Sequence, residues 1–187
     1  MGYTHYFYRK ELTHDDETWD LFIKDVKEIA RRFNLITSNS QHFITDMKVT
    51  RELDIAIGDG VDQGGSPIFN NKEVWFNGVG DNSHETMAIY KDMSHILTNT
   101  DDYRAYQRDN WEKNGEVFSC VKTQHKPYDV LVTAVLVLYK YHFKDKVSIA
   151  SDGGPEGLEE GLALVEQFTD VTIPIHEIYA YDDEDEI

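Results

Sequence analysis

A chain of 187 residues with 18 basic and 35 acidic side chains carries a formal charge of -17, which disfavours non-specific binding to DNA, RNA or anionic lipid. No apolar run reaches the ~18 residues that a membrane span requires, no signal peptide is evident, and a lone Cys120 leaves no internal disulfide and points to a reducing, cytoplasmic compartment. With 40% hydrophobic residues, 11 Tyr, 9 Phe and 3 Trp, the composition is that of a globular chain, expected as one domain over residues 1–181 followed by an acidic disordered tail, DDEDEI, at 182–187.

Residues 3–9, YTHYFYR, place Tyr3, His5 and Phe7 on one face and Thr4, Tyr6 and Tyr8 on the other. Large rings on both faces predict a central strand. Thr13 with Asp16 resembles a capping pair. It opens a predicted helix over 15–33, in which Trp19, Phe22, Ile23, Val26, Ile29, Ala30 and Phe33 form one apolar stripe. Residues 34–42 are polar and turn-like, and Leu53, Ile55 and Ile57 alternate as a strand does. The stretch 58–67, GDGVDQGGSP, reads as a loop. Its Asp59 and Asp62 raise a calcium reading, but the ligand spacing of a calcium loop is missing, so no metal is expected. Strands are predicted over 73–79 and 85–90, joined by Gly80, Asp81, Asn82 and Ser83, residues suited to a tight hairpin. Residues 92–114 read as a long polar excursion with a short helix near 103–111.

A strand over 116–121 leads into a helix over 128–143 that is apolar all round and therefore buried. Lys122, Thr123, Lys126 and Pro127 stand at its head. Proline suits the first helical position, and the free N–H groups of that turn carry partial positive charge. Two lysines beside them predict an anion site. A strand over 146–150 then turns through SDGGPEG into a helix over 155–168 with Pro155 as its first residue. In that helix Leu158, Leu162 and Val165 face the core, and Gly157 and Gly161 admit a close neighbour. Residues 172–181 read as a last strand, which Pro174 confines to an edge or a bulge. The fold class expected is α+β: a mostly antiparallel sheet of about five to six strands covered by about three helices.

Four stretches taken together carry a resemblance: GYTHY at 2–6, FNGVGDNSHET at 76–86, CVKTQHKPYD at 120–129 and SDGG at 151–154. They are similar to the signatures of an uncharacterised protein family found in phages and bacteria. In that family the third motif reads close to C-K-T-x-x-K-P-Y-D, whereas here Val121 stands between Cys120 and Lys122. The resemblance covers most of the chain in order. It implies a phage-type setting in the host cytoplasm and a shared architecture, and it implies no mechanism.

Candidate functional residues fall in the same stretches. Lys122 and Lys126 are suited to a phosphate or carboxylate, with Thr123 as a hydroxyl donor; the plainer reading makes them surface lysines paired with Asp129, itself a capping residue. His5, His84 and Glu85 are candidates for proton transfer. As strand neighbours, however, His84 and Glu85 point to opposite faces, and His5 also reads as a hydrogen-bonded core histidine. Tyr3, Tyr6, Tyr8 and Tyr128 could stack on a base or sugar or simply pack. Asn77 in the hairpin, with Ser151 and Asp152 in the SDGG turn, completes the expected ligand-binding set. Zinc spacing and the Gly-x-Ser-x-Gly elbow are both missing, so no cofactor and no catalytic residue is assigned. Cys120 reads as a small core residue. The function expected is capture of a small anionic molecule, a nucleotide or nucleotide-derived immune signal, without catalysis and in a homo-oligomer. One alternative is an enzyme acting on such a ligand through His5 or His84. Another is an acidic protein that blocks a host defence protein by direct binding.

Overall fold

The computed structural model describes residues 2–37, 66–98 and 101–179. The predicted strand around 53–57, the Asp59 and Asp62 loop and the acidic tail lie outside the described residues. Strand β1, Thr4–Arg9, runs antiparallel between β5, Val117–Lys122, and β6, Val147–Ser151. It is central, as its rings predict, with His5, Phe7 and Arg9 turned inward. Strands β2, Ile68–Phe69, β3, Glu73–Phe76, and β4, Met87–Tyr90, form a second antiparallel sheet. The class is α+β with antiparallel pairing, and the six strands among the described residues divide into two three-stranded sheets.

Helix α1, Asp16–Thr37, buries Trp19, Phe22, Val26, Ile29 and Phe33 as its stripe predicts. Its cap is not the predicted Thr13 pair. Asp15 Oδ1 accepts from Thr18 N at 2.8 Å, while Thr13 donates to Asp92 across a bridge that ties the helix entrance to β4's end. Helix α2, Asp102–Asn114, is longer than predicted; Asp101 caps its start and Gly115, at φ 69°, closes it in the left-handed conformation. Helix α3, Asp129–Phe143, is buried without interruption through Tyr139 and packs against α1 and α4, Glu159–Phe168. One apolar cluster joins these helices to the inner faces of both sheets.

Three expectations are corrected. Pro127 is not the first helical residue: Asp129 N donates to Lys126 O at 2.9 Å, so Pro127 takes the second position of a turn and Tyr128 is the N-cap. The 73–90 hairpin is not tight, because its strands stop at Phe76 and resume at Met87. Asn77 replaces the ladder there, donating to His84 O at 2.8 Å and accepting from His84 N at 3.1 Å. Among the described residues 172–179 the predicted last strand is also missing. Pro174 has no N–H to give a sheet and instead stands as N-cap of α5, Ile175–Ile178; among the described residues of this stretch only Tyr179 bridges, in parallel, to Ile149. The SDGGPEG turn agrees with expectation, since Pro155 opens a 3-10 turn that runs into α4.

Candidate functional site

The four motif stretches meet. Tyr3 O accepts from Thr123 N at 2.9 Å and from Gln124 N at 3.3 Å. Lys122 holds the 77–86 connection by its backbone: its N–H donates to Glu85 Oε2 at 2.8 Å, and its carbonyl accepts from Glu85 N at 3.1 Å and from His84 Nδ1 at 2.8 Å. Tyr128 donates its hydroxyl to Glu85 O at 2.6 Å. Asp152 closes the other side, accepting from Thr4 N at 2.9 Å and from the Tyr6 hydroxyl at 2.8 Å. The expectation that His84 and Glu85 sit in a strand on opposite faces is therefore corrected. Both lie in the connection, and both engage Lys122. A carbonyl can only accept, so His84 carries its proton on Nδ1 and Nε2 is its basic nitrogen.

Thr123–Lys126 is a tight turn closed by Lys126 N donating to Thr123 O at 3.0 Å, with Gln124 at φ 53° and His125 at φ 55°. Positive φ at both central residues is the I′ pattern, normally built from Gly, Asn or Asp. Longer side chains there cost on the order of 1–2 kcal/mol each. The Tyr3 ring stacks under the exposed His125 ring, 3.5 Å between centroids at 28°, and holds the turn in place. Half-buried Lys122 and Lys126 flank it. Lys126 Nζ donates to Asp81 O. The Lys122 stem lies across Gly2, where an added Cβ would come within 2.1 Å of Cε.

Beneath the turn lies a buried polar group. Asp129 Oδ1 accepts from His5 Nε2 at 2.7 Å and from the Thr123 hydroxyl at 2.5 Å. His5 and Thr123 are fully buried and Asp129 is 2% exposed. The positive end of α3 thus faces a carboxylate of the chain itself, which moves any external anion outward to Lys122 and Lys126. Ser151 is the cross-strand partner of His5 and donates towards the Tyr3 hydroxyl at 3.5 Å. Tyr3 also fits between Gly153 and Gly157, where an added Cβ would meet its hydroxyl at 2.3 and 2.4 Å. His5 Nδ1 is buried with no hydrogen-bond partner among the described residues. Of the expected ligand-binding set, His5, Asn77, Thr123, Tyr128 and Ser151 are buried. They shape the site from below, and Lys122, Lys126, His84 and Glu85 stand nearer its surface. Half-buried Cys120 has its thiol pushed up by burial and by Glu85, which suits a packing role.

Two further arrangements escaped the sequence reading. Glu11 Oε1, His14 and the Tyr139 hydroxyl form a chain with both links at 2.6 Å. Arg9, at an inward position of β1, is 4% exposed. The alternation of β1 already carried the second signal, because His5, Phe7 and Arg9 share a face. Among the described residues no group of three or more His, Cys, Asp or Glu side chains is placed to hold a metal ion, and no helix is long and apolar enough to cross a membrane. The chain matches no family model, no curated protein and no solved structure.

Proposed function

We propose that this protein captures a small anionic ligand, a nucleotide or nucleotide-derived molecule, on the 122–126 turn and does not convert it chemically. The observation that carries the reading is the turn itself: a left-handed pair, Gln124 and His125, held on Tyr3 between Lys122 and Lys126, where four separate motif stretches converge. Backbone strain of this kind is retained where the surroundings demand one geometry, and functional sites are where it clusters. Two ammonium groups at one turn also bring local positive charge to a chain of charge -17. One feature favours capture over turnover: His5 and Asp129 are enclosed beneath the turn. The resemblance to a phage and bacterial family supports a setting in which such capture removes a host signalling nucleotide from the cytoplasm. A homo-oligomer would enclose the ligand further.

Incubation with a nucleotide panel, followed by chromatography of the ligand released on heating, tests the reading. Intact nucleotide is expected, with affinity at least ~10-fold lower in the Lys122→Ala, Lys126→Ala double variant, about 1.4 kcal/mol. Altered nucleotide would instead identify an enzyme. Undiminished affinity in the double variant would remove the turn as the site.

A further inference from the structure

A cavity of about 130 Å³, separate from the 122–126 turn and independent of its role, is lined in part by Arg9 and Ser119 of the first sheet, Tyr90 of the second, Arg104 and Gln107 of α2, and Tyr139 of α3. Arg9 is held by backbone carbonyls: Nε–H donates to Glu11 O at 2.7 Å, Nη1 to Tyr90 O at 2.5 Å, and Nη2 to Leu12 O at 3.0 Å and Lys91 O at 3.1 Å. A guanidinium has five N–H donors, so these bonds leave one on Nη1. Among the described residues no carboxylate comes within 4.0 Å of Arg9 as an ion-pair partner. The nearby acids are engaged elsewhere: Glu11 with His14 and Lys146, Asp92 with Thr13 and Ser94 N. Carbonyl dipoles satisfy the hydrogen bonds of an arginine without neutralising its charge, and an arginine does not shed its proton to escape burial. A buried charge of this kind calls for a counter-charge.

Arg104 brings a second guanidinium to the same wall. It lies over the Tyr90 ring at 5.9 Å, and its Nη1 donates to Gln107 Oε1 at 2.8 Å. Gln107, 1% exposed, is fixed in turn by donating to Phe118 O at 3.1 Å. Ser119 pairs across the ladder with Phe7 and so faces the cavity side of β5. The Tyr139 hydroxyl is turned away to His14. Arg9 and Arg104 thus bring two positive charges to the cavity wall, with the Ser119 hydroxyl beside them. We infer that this cavity binds a small inorganic oxyanion, orthophosphate or sulfate, between Arg9 and Arg104 with the Ser119 hydroxyl as a further donor. Planar guanidiniums match pairs of oxygens on such an anion. The space is well below the ~300 Å³ of an ordinary small-molecule pocket, which excludes a nucleoside.

Calorimetric titration of the full chain with sodium phosphate at constant ionic strength tests this, alongside thermal melts in phosphate and in chloride. Saturable binding is expected, with a melting midpoint raised by phosphate beyond the effect of chloride. Arg104→Gln, at a half-buried position, should weaken phosphate binding at least tenfold and leave the unliganded midpoint nearly unchanged; Ser119→Ala should weaken it severalfold. The Lys122→Ala, Lys126→Ala variant should keep a saturable phosphate site, which separates this cavity from the turn. AMP should not displace phosphate from that variant, and displacement would overturn the restriction to a free oxyanion. Equal midpoints in phosphate and chloride, or parental affinity in Arg104→Gln, would overturn the site and leave Arg9 as a strut between β1 and β4.

Discussion

Burial lowers the His14 pKa from its ordinary 6.5 to about 4, with the nearby Arg9 charge acting in the same direction. At neutral pH its Nδ1–H therefore donates to Glu11 and its Nε2 accepts from Tyr139, whose hydroxyl burial pushes up to about 12. Glu11 is raised by its own burial, but hydrogen bonds from His14 and Lys146 outweigh that and leave it below the ordinary carboxylate value. A histidine with a depressed folded pKa binds fewer protons folded than unfolded. Its contribution is whole above pH 6.5 and is lost as pH falls towards 4. Urea midpoints taken across that window should show a loss on the order of 3 kcal/mol, and His14→Gln should flatten the slope. The buried Asp129 group gives a second prediction at this scale. Asp129→Asn leaves His5 and Thr123 facing an altered partner and should cost roughly 3–5 kcal/mol by urea denaturation, whereas Thr123→Val should cost about 1 kcal/mol.

Among the elements, α3 organises the rest, and α4 lies closest to it. A Cβ on Gly161 would come within 2.3 Å of Ala134 N and 2.4 Å of Thr133 Oγ1. The nearer obstacle is helix backbone, which cannot move aside as a side-chain tip can. Gly161→Ala should therefore destabilise by roughly 1–3 kcal/mol through overpacking, despite the ~1 kcal/mol that alanine gains in helix propensity; a lower melting midpoint would show it. The close approach at Gly161 was legible in the sequence, as were the stripe of α1 and the unbroken apolar run of α3. The wide 77–86 connection was not, because Gly-Asp-Asn-Ser describes both a tight turn and a turn inside a longer loop. Asn77, whose side chain takes over from the ladder, decides between them. Pro127 was misplaced for a similar reason: proline suits position two of a turn as well as the first helical position.

Across the whole molecule the -17 charge makes two opposite predictions about salt. Self-repulsion of the compact state is screened as salt rises. Raising NaCl from ~20 to ~200 mM, which shortens the Debye length, should lift the melting midpoint by a few degrees. Attraction between an anionic ligand and Lys122 with Lys126 is screened by the same salt, so captured nucleotide should bind more weakly over that range while the protein grows more stable. Midpoint and affinity moving together would contradict the surface placement of the ligand.

By itself the sequence determined the α+β class, the central place of the first strand, the helices α1, α3 and α4, and which short stretches carry polar residues unlike their surroundings. These depend on period and composition, which act over a few neighbouring residues. Only the tertiary structure decided that those stretches meet. His5 and Asp129 are 124 positions apart and Tyr6 and Asp152 are 146 apart, and their contacts follow from β1 lying between β5 and β6 in one register. Tertiary structure also decided that Arg9 is enclosed among carbonyls beside a cavity, since alternation says which way a side chain points and the second sheet says what it finds there.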